Sequence, residues 1–376
     1  MPQNVYDRLG VRRVINGGSW ITVLGGSIMA PEVAKAMADA VPYYVDMLEL
    51  HRKVGEIIAR VCGAEAGLPV TGASAGEVLM VAACMTGADE AKAGRLPDTT
   101  GMKNEIIIQR AQRNRYDGAY LLTGARFVEI GKAHATPLWE QEGAFSDKTC
   151  CVVVTFGPFI AQPIPLKTIA EIAHKHNVPV IVDAAAETFT PTQMKSFIQD
   201  GADLVTFSGG KGIRGPQSAG LLAGRKDLIA AAELNSLNYY SPHANIGRPM
   251  KVCKEELVGL AVALELFEKM DHEAEWRAWR KQSQVIVDAL HEIPGLDVRL
   301  EDGDPNRQGP QAVIYFERPW KGPPQTDVMK KLREGDPPIY IGHGGYKGEL
   351  WVTPVTLQPG EERIVAARLR EALIGQ

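Results

Sequence analysis

No apolar run in the 376 residues approaches the ~18 needed to span a bilayer, so a helical membrane protein is excluded. The N-terminal MPQNVYDRLG is polar and lacks the apolar stretch of a signal peptide, which sets a cytoplasmic expectation. No long Lys/Arg run exists either. Lys and Arg total 41 against 45 Asp and Glu, a net charge of −4, and this balance argues against a nucleic-acid partner. Cysteine is sparse: five residues, an odd number, with no CxxC spacing. That pattern fits reduced thiols, several in apolar surroundings, better than a disulfide framework or a zinc site. No His/Cys/Asp/Glu cluster has metal-ligand spacing, so no catalytic metal is expected.

What is present is a chain long enough for two domains, with 45% hydrophobic and 23% charged residues. Its middle alternates short β-rich runs with helical patterns. Strands are expected at Glu105–Gln109, Arg126–Ile130, Cys150–Phe156, Val178–Asp183, Ala202–Ser208 and Gly220–Gly224. They are apolar nearly throughout rather than alternating, as strands covered on both faces read. Leu166, Ile169, Ile172 and Ala173 recur at helical spacing between two of them. Strand, helix, strand in succession implies a mostly parallel α/β sheet, whose ligands bind at the carboxyl ends of the strands. From about Lys251 the texture changes to one long helical pattern followed by spaced strands at Leu296–Leu300, Ala312–Phe316, Ile339–Ile341 and Leu350–Val355. The expected division is an N-terminal segment (1–50), a large domain (51–255) and a smaller α+β domain (256–376).

Three sequence features converge on one chemistry. Thr71-Gly72-Ala73-Ser74-Ala75-Gly76 precedes a helical run, and small residues at a helix N-terminus let backbone N–H groups approach an anion. Asp183 ends an apolar strand, where a carboxylate is out of place without a cationic partner. Ser208-Gly209-Gly210-Lys211-Gly212 ends another strand, and its glycines would let a bulky ring lie close to the backbone. Each alone has a bland reading: a tight turn, an N-cap or ion pair, a solvated lysine. In this order, with 28 residues between Asp183 and Lys211, they form a pattern.

That pattern resembles the fold type I pyridoxal 5′-phosphate enzymes. SGGKGIRGPQSAG and VPVIVDAAAE look like the lysine and aspartate regions of the selenocysteine synthase (SelA-like) group. INGGSWITVLGGSIMAPEV, LPDTTGMKNEIIIQR and IGRPMKVCKEELVGLAVAL look closer still to its D-glucosaminate-6-phosphate ammonia-lyase-like relatives. The resemblance implies a large domain with a seven-stranded, mostly parallel sheet and a smaller C-terminal domain. It implies Lys211 as the Schiff-base lysine, Asp183 as the pyridinium partner, and Ala73, Ser74, Ala75 and Ser208 around the phosphate. Relatives often carry a ring-stacking histidine where this chain has Gln112, so Gln112 is placed at the cofactor; a glutamine supplies no aromatic face, and either Arg113 packs over the ring or the reaction differs from that of relatives.

Fold type I sites are usually completed by a second subunit. A homodimer or larger homo-oligomer is therefore expected, with the N-terminal segment packing on the site and partner. The tRNA-acting members carry an additional N-terminal domain, and this chain begins almost directly with the catalytic region; a tRNA substrate is not expected. Arg113, Arg115 and Arg248 are candidates for an anionic substrate group, because guanidinium forks suit carboxylate and phosphate. The expected activity is chemistry at the α-carbon of a small amino acid or amino sugar acid, foremost an α,β-elimination of ammonia-lyase type. Racemisation or aldol cleavage by the same machinery, and a non-catalytic binding protein of the same fold, are the alternatives.

Overall fold

The structure is a computed structural model that describes residues 4–186, 190–236, 244–303, 307–345 and 347–375. The chain forms two compact units, Met29–Met270 and Met1–Ile28 with Asp271–Gln376. These borders differ from 50/51 and 255/256 for identifiable reasons. The helix Lys254–Lys269 sends Leu257, Leu260, Leu264 and Phe267 into the core of the large unit. Near the N-terminus, Ile15–Gly17 adds a parallel strand to the sheet of the small unit.

The small unit opens with β1 (Ile15–Gly17). The large unit holds β2 (Ala66–Thr71), β3 (Glu105–Gln109), β4 (Arg126–Ile130), β5 (Thr149–Thr155), β6 (Val180–Asp183), β7 (Leu204–Ser208) and β8 (Ala219–Gly224). The small unit continues with β9 (Leu296–Glu301), β10 (Gln311–Phe316), β11 (Ile339–Gly344) and β12 (Glu349–Val352). Its five strands run in the order β1-β11-β12-β10-β9 and are otherwise antiparallel. The expected Leu350–Val355 strand stops at Val352, because Pro354 cannot donate to a ladder and starts a 3₁₀ turn. In the same unit the Arg307 guanidinium is nearly buried between Glu301 (2.9 Å) and Glu349 (3.1 Å).

The large sheet runs β2-β8-β7-β6-β5-β3-β4, parallel from β4 to β7, with β8 antiparallel to both of its neighbours. Successive side chains of a strand point to opposite faces. Val152, Val154, Val180 and Val182 therefore enter one apolar cluster, and Cys151, Val153 and Ile181 enter the other. Two covered faces explain why these segments read as continuous apolar runs. Among the described residues, no helix is long and apolar enough to cross a membrane, and no acidic, His or Cys cluster could hold a metal.

The helix Gly72–Thr86 is largely buried, and Ala75, residues 79–83 and Met85 lie in the second cluster. It seats closely on the sheet because Gly76 carries no side chain: a Cβ there would stand 2.1 Å from Thr206 Oγ1. Gly76→Val is expected to cost ~1–3 kcal/mol of stability by overpacking, read by urea unfolding. Gly118 has open space around it and no positive φ, so Gly118→Ala should be neutral or stabilising by up to ~1 kcal/mol in the same assay.

Candidate functional site

The topology gathers the ends of six strands at one rim. Parallel pairing brings Gln109, Thr155, Asp183 and Ser208 there as carboxyl ends. Because β8 and β2 each reverse direction, the start of β8 and the end of β2 return to the same rim: Ser208 pairs with Gly220, and Thr71 with Ala219.

One end of the site is the N-terminus of Gly72–Thr86. No side chain caps it; the Thr71 hydroxyl instead donates to Met250 O at 2.6 Å. Gly72 has φ +67°, and Gly220 faces it so closely that a Cβ on Gly220 would meet Gly72 C at 2.5 Å. Ala73 and Ala75 are buried beneath this turn, while Ser74 is exposed above it. Uncapped N–H groups and an unopposed helix dipole favour an anion here.

The lysine loop folds back on the start of β8. Gly209 N–H donates to Ala219 O (2.8 Å), Gly215 N–H to Gly209 O (2.8 Å) and Arg214 N–H to Lys211 O (2.9 Å). Gly210 passes so near Gln217 that a Cβ would stand 2.4 Å from its Cα. Lys211 and Ser208 are half-buried. A small cavity beside them is lined by Ala184, Ala185, Ser208, Gly212, Ile213 and neighbouring apolar side chains.

Asp183 is 5% exposed. Burial pushes its carboxyl up; the Ala185 N–H on Oδ1 (2.9 Å), the Lys211 ammonium and the Glu77 side chain work against that rise. Register sets Asp183 between Thr155 on β5 and Thr206 on β7. Glu77, from the Gly72–Thr86 helix, lies against Asp183 and is pushed up to about 9, first by burial and then by the Asp183 charge. Three buried polar atoms around this point make no hydrogen bond among the described residues: Glu77 Oε2, Tyr120 OH and Thr155 Oγ1. The strand-end aspartate and the glycine-flanked lysine thus belong to one electrostatic cluster.

The remaining candidates divide. Gln112 is fully buried, and its amide is engaged: Oε1 accepts from Thr155 N–H (3.2 Å) and Nε2 donates to Gln162 Oε1 (2.8 Å). Gln162 in turn donates to Thr155 O at 2.6 Å, so Gln112 braces the end of β5. Arg113 is ion-paired to Asp117 (2.5 Å) and to Glu129, and stands 4.4 Å over the Phe127 ring. Arg115 is exposed, with its guanidinium 5.8 Å from the Tyr116 ring centroid. Arg248 is exposed on the Arg248–Met250 turn, which the Thr71 bond ties to the anion end of the site.

Glu77, Tyr120 and Thr155 escaped the sequence reading. Glu77 left one signal: it is the single charged residue in GASAGEVLMVAACMT. Tyr120 and Thr155 left none, because they join the site only through packing and register.

The SelA family profile, described as L-seryl-tRNA selenium transferase, matches residues 14–278. D-glucosaminate-6-phosphate ammonia lyase of Salmonella typhimurium is 33% identical, over 99% of this chain and 98% of its own. 5′-C-glycyluridine monooxygenase-decarboxylase of a Streptomyces species is 34% identical, over 98% and 92%. L-seryl-tRNA(Sec) selenium transferase of Solidesulfovibrio magneticus is 27% identical, over 96% and 82%. The solved structure of D-glucosaminate-6-phosphate ammonia-lyase superposes with a TM-score of 0.85 at 32% identity, covering 99% of this chain and 98% of that one. Sphingomonas wittichii serine palmitoyltransferase, at 13% identity and a TM-score of 0.60, covering 96% of this chain and 86% of that one, shares the fold alone. The rim of strand ends is thus that of a fold type I enzyme, and the chain belongs to the SelA family.

Proposed function

We propose that this enzyme holds pyridoxal 5′-phosphate at Lys211 and catalyses an α,β-elimination on an amino acid or amino sugar acid, releasing ammonia. The observation that carries the reading is that buried Asp183 ends β6 and the glycine-flanked Lys211 follows the end of the adjacent β7, at one rim of the sheet. The residues present fit the cofactor. The uncapped turn at Ala73, Ser74 and Ala75 supplies donors for a phosphate. Asp183 supplies a buried carboxylate for a pyridinium, and the orphaned polar atoms around it mark a place built for a polar guest. When bound, the group supplies an electron sink for the carbanion formed at the α-carbon.

The chain's own residues do the rest. Asp183 holds the ring nitrogen's proton in place. The freed Lys211 Nζ takes the substrate α-proton. The β C–O bond would then break, its oxygen leaving as water with the proton that Lys211 had taken, and hydrolysis of the resulting dehydro-amino acid would yield a 2-oxo acid and ammonia. Arg248, on the turn tied to Thr71, is the arginine best sited for an anionic substrate group, since Arg113 is already paired with Asp117 and Glu129. A small-molecule substrate and a homo-oligomeric enzyme in the cytoplasm complete the reading. The Salmonella relative's name supports a sugar-acid lyase. The Streptomyces relative's name supports a second reading on the same scaffold, oxidative loss of a carboxyl group.

Addition of pyridoxal 5′-phosphate followed by borohydride should fix one phosphopyridoxyl group on Lys211, seen by peptide mass spectrometry. Lys211→Ala should take up none and lose ~10²–10⁴-fold in rate with its general base. Asp183→Asn should bind the cofactor about 10- to 100-fold more weakly by fluorescence titration, from ~1.5–3 kcal/mol of charged hydrogen bonding. With a panel of amino acids and amino sugar acids, the expected products under nitrogen are ammonia and a 2-oxo acid. Oxygen uptake with carbon dioxide release would select the second reading instead.

A further inference from the structure

The cluster around Asp183 contains a second acid, and no step derived above uses it. Glu77 is 2% exposed, on a helix whose other residues are small or apolar. Its neighbour Gly76 brings that helix against Thr206, the strand partner of Asp183, so the backbone fixes Glu77 next to the aspartate. The charged and titratable groups facing it are Asp183 from β6, Asp117 from the turn before Gly118–Leu121, Tyr120 from that helix, and Lys211 from the loop after β7. Asp117 is already compensated by Arg113 at 2.5 Å. Lys211 is then the one cation among those neighbours, for two neighbouring buried carboxyl groups. Two adjacent carboxylates out of water are strongly disfavoured, and retaining one proton relieves both the burial and the repulsion.

We propose that Glu77 is a positioning residue that keeps a proton and donates it to Asp183, so that the two carboxyl groups share a single negative charge. Asp183 takes one donor from Ala185 N–H on Oδ1; Glu77 supplies another. A carboxylate held by two donors has a fixed orientation, and it stays ionised although buried. The functional weight of this arrangement rests on the cofactor reading above, because Asp183 is the group proposed to face the ring nitrogen. The proton location itself does not depend on that reading and can be read on the chain without added cofactor.

Infrared spectra of full-length protein provide the test. With ¹³C-glutamate labelling, a carboxylic-acid C=O band should persist at pH 7.5, shift with the label, and fade as pH passes about 9. Glu77→Gln should lack it. A neutral-pH band that moves with labelled aspartate instead, or no such band in the wild type, would overturn the assignment. Urea unfolding supplies a second readout. A folded-state value raised from 4.5 to about 9 means that stability is fully present below 4.5 and drains away as pH climbs through 9. Relative to Glu77→Gln, the wild-type folding constant should therefore fall by up to tenfold per pH unit across that window. Parallel curves for the two proteins would sink the proposal. Cofactor titration then tests the role. Gln keeps a donor and should preserve affinity, whereas Glu77→Leu should weaken it about tenfold. Equal weakening in both variants would reduce Glu77 to a packing residue.

Discussion

A carboxyl group held out of water at the end of β6 sets the terms for everything around it. Stripped of hydration, Asp183 needs a donor, a cation or a proton close by, and the fold delivers one of each kind from separate elements. Ala185 N–H is local to the turn. Lys211 arrives from the loop after the adjacent strand, and Glu77 from the helix seated on Thr206. Removing any one of these raises the cost of the buried charge, which ties the strand order to the electrostatics of the site.

The glycines act on that arrangement indirectly. Gly76 sets how near the Gly72–Thr86 helix lies to the sheet, and Gly220 sets how near Gly72 lies to the start of β8. These contacts decide where a carboxyl group and an uncapped helix end come to rest, although neither glycine touches a charged atom. The arginines show the converse. Arg113 carries the charge a substrate site wants, yet Asp117 and Glu129 already enclose it.

Much of this was legible in the order of residues. Apolar strands in β3, β5, β6 and β7 announced a sheet covered on both faces, and Asp183 and Lys211 stood out against that background. β2 was not legible. AGLPVT contains a glycine and a proline and reads as a loop, and its strand character comes only from pairing with β8. β1 is three residues long, too short to show a period, and depends on β11 for its existence. Gln112 was legible as a departure from relatives. Its bracing of β5 was not, because Gln162 stands fifty residues further along the chain.

β2 has consequences for synthesis. Its strand neighbour among the described residues, β8, lies about 150 residues downstream, so a chain emerging from the ribosome carries residues 66–71 for most of its length before they can pair. Contacts of such long sequence separation close late and slowly. The turn at Gly72 is pinned against Gly220 by that same pairing. A nascent chain would therefore complete its anion cradle only after the whole sheet had been translated.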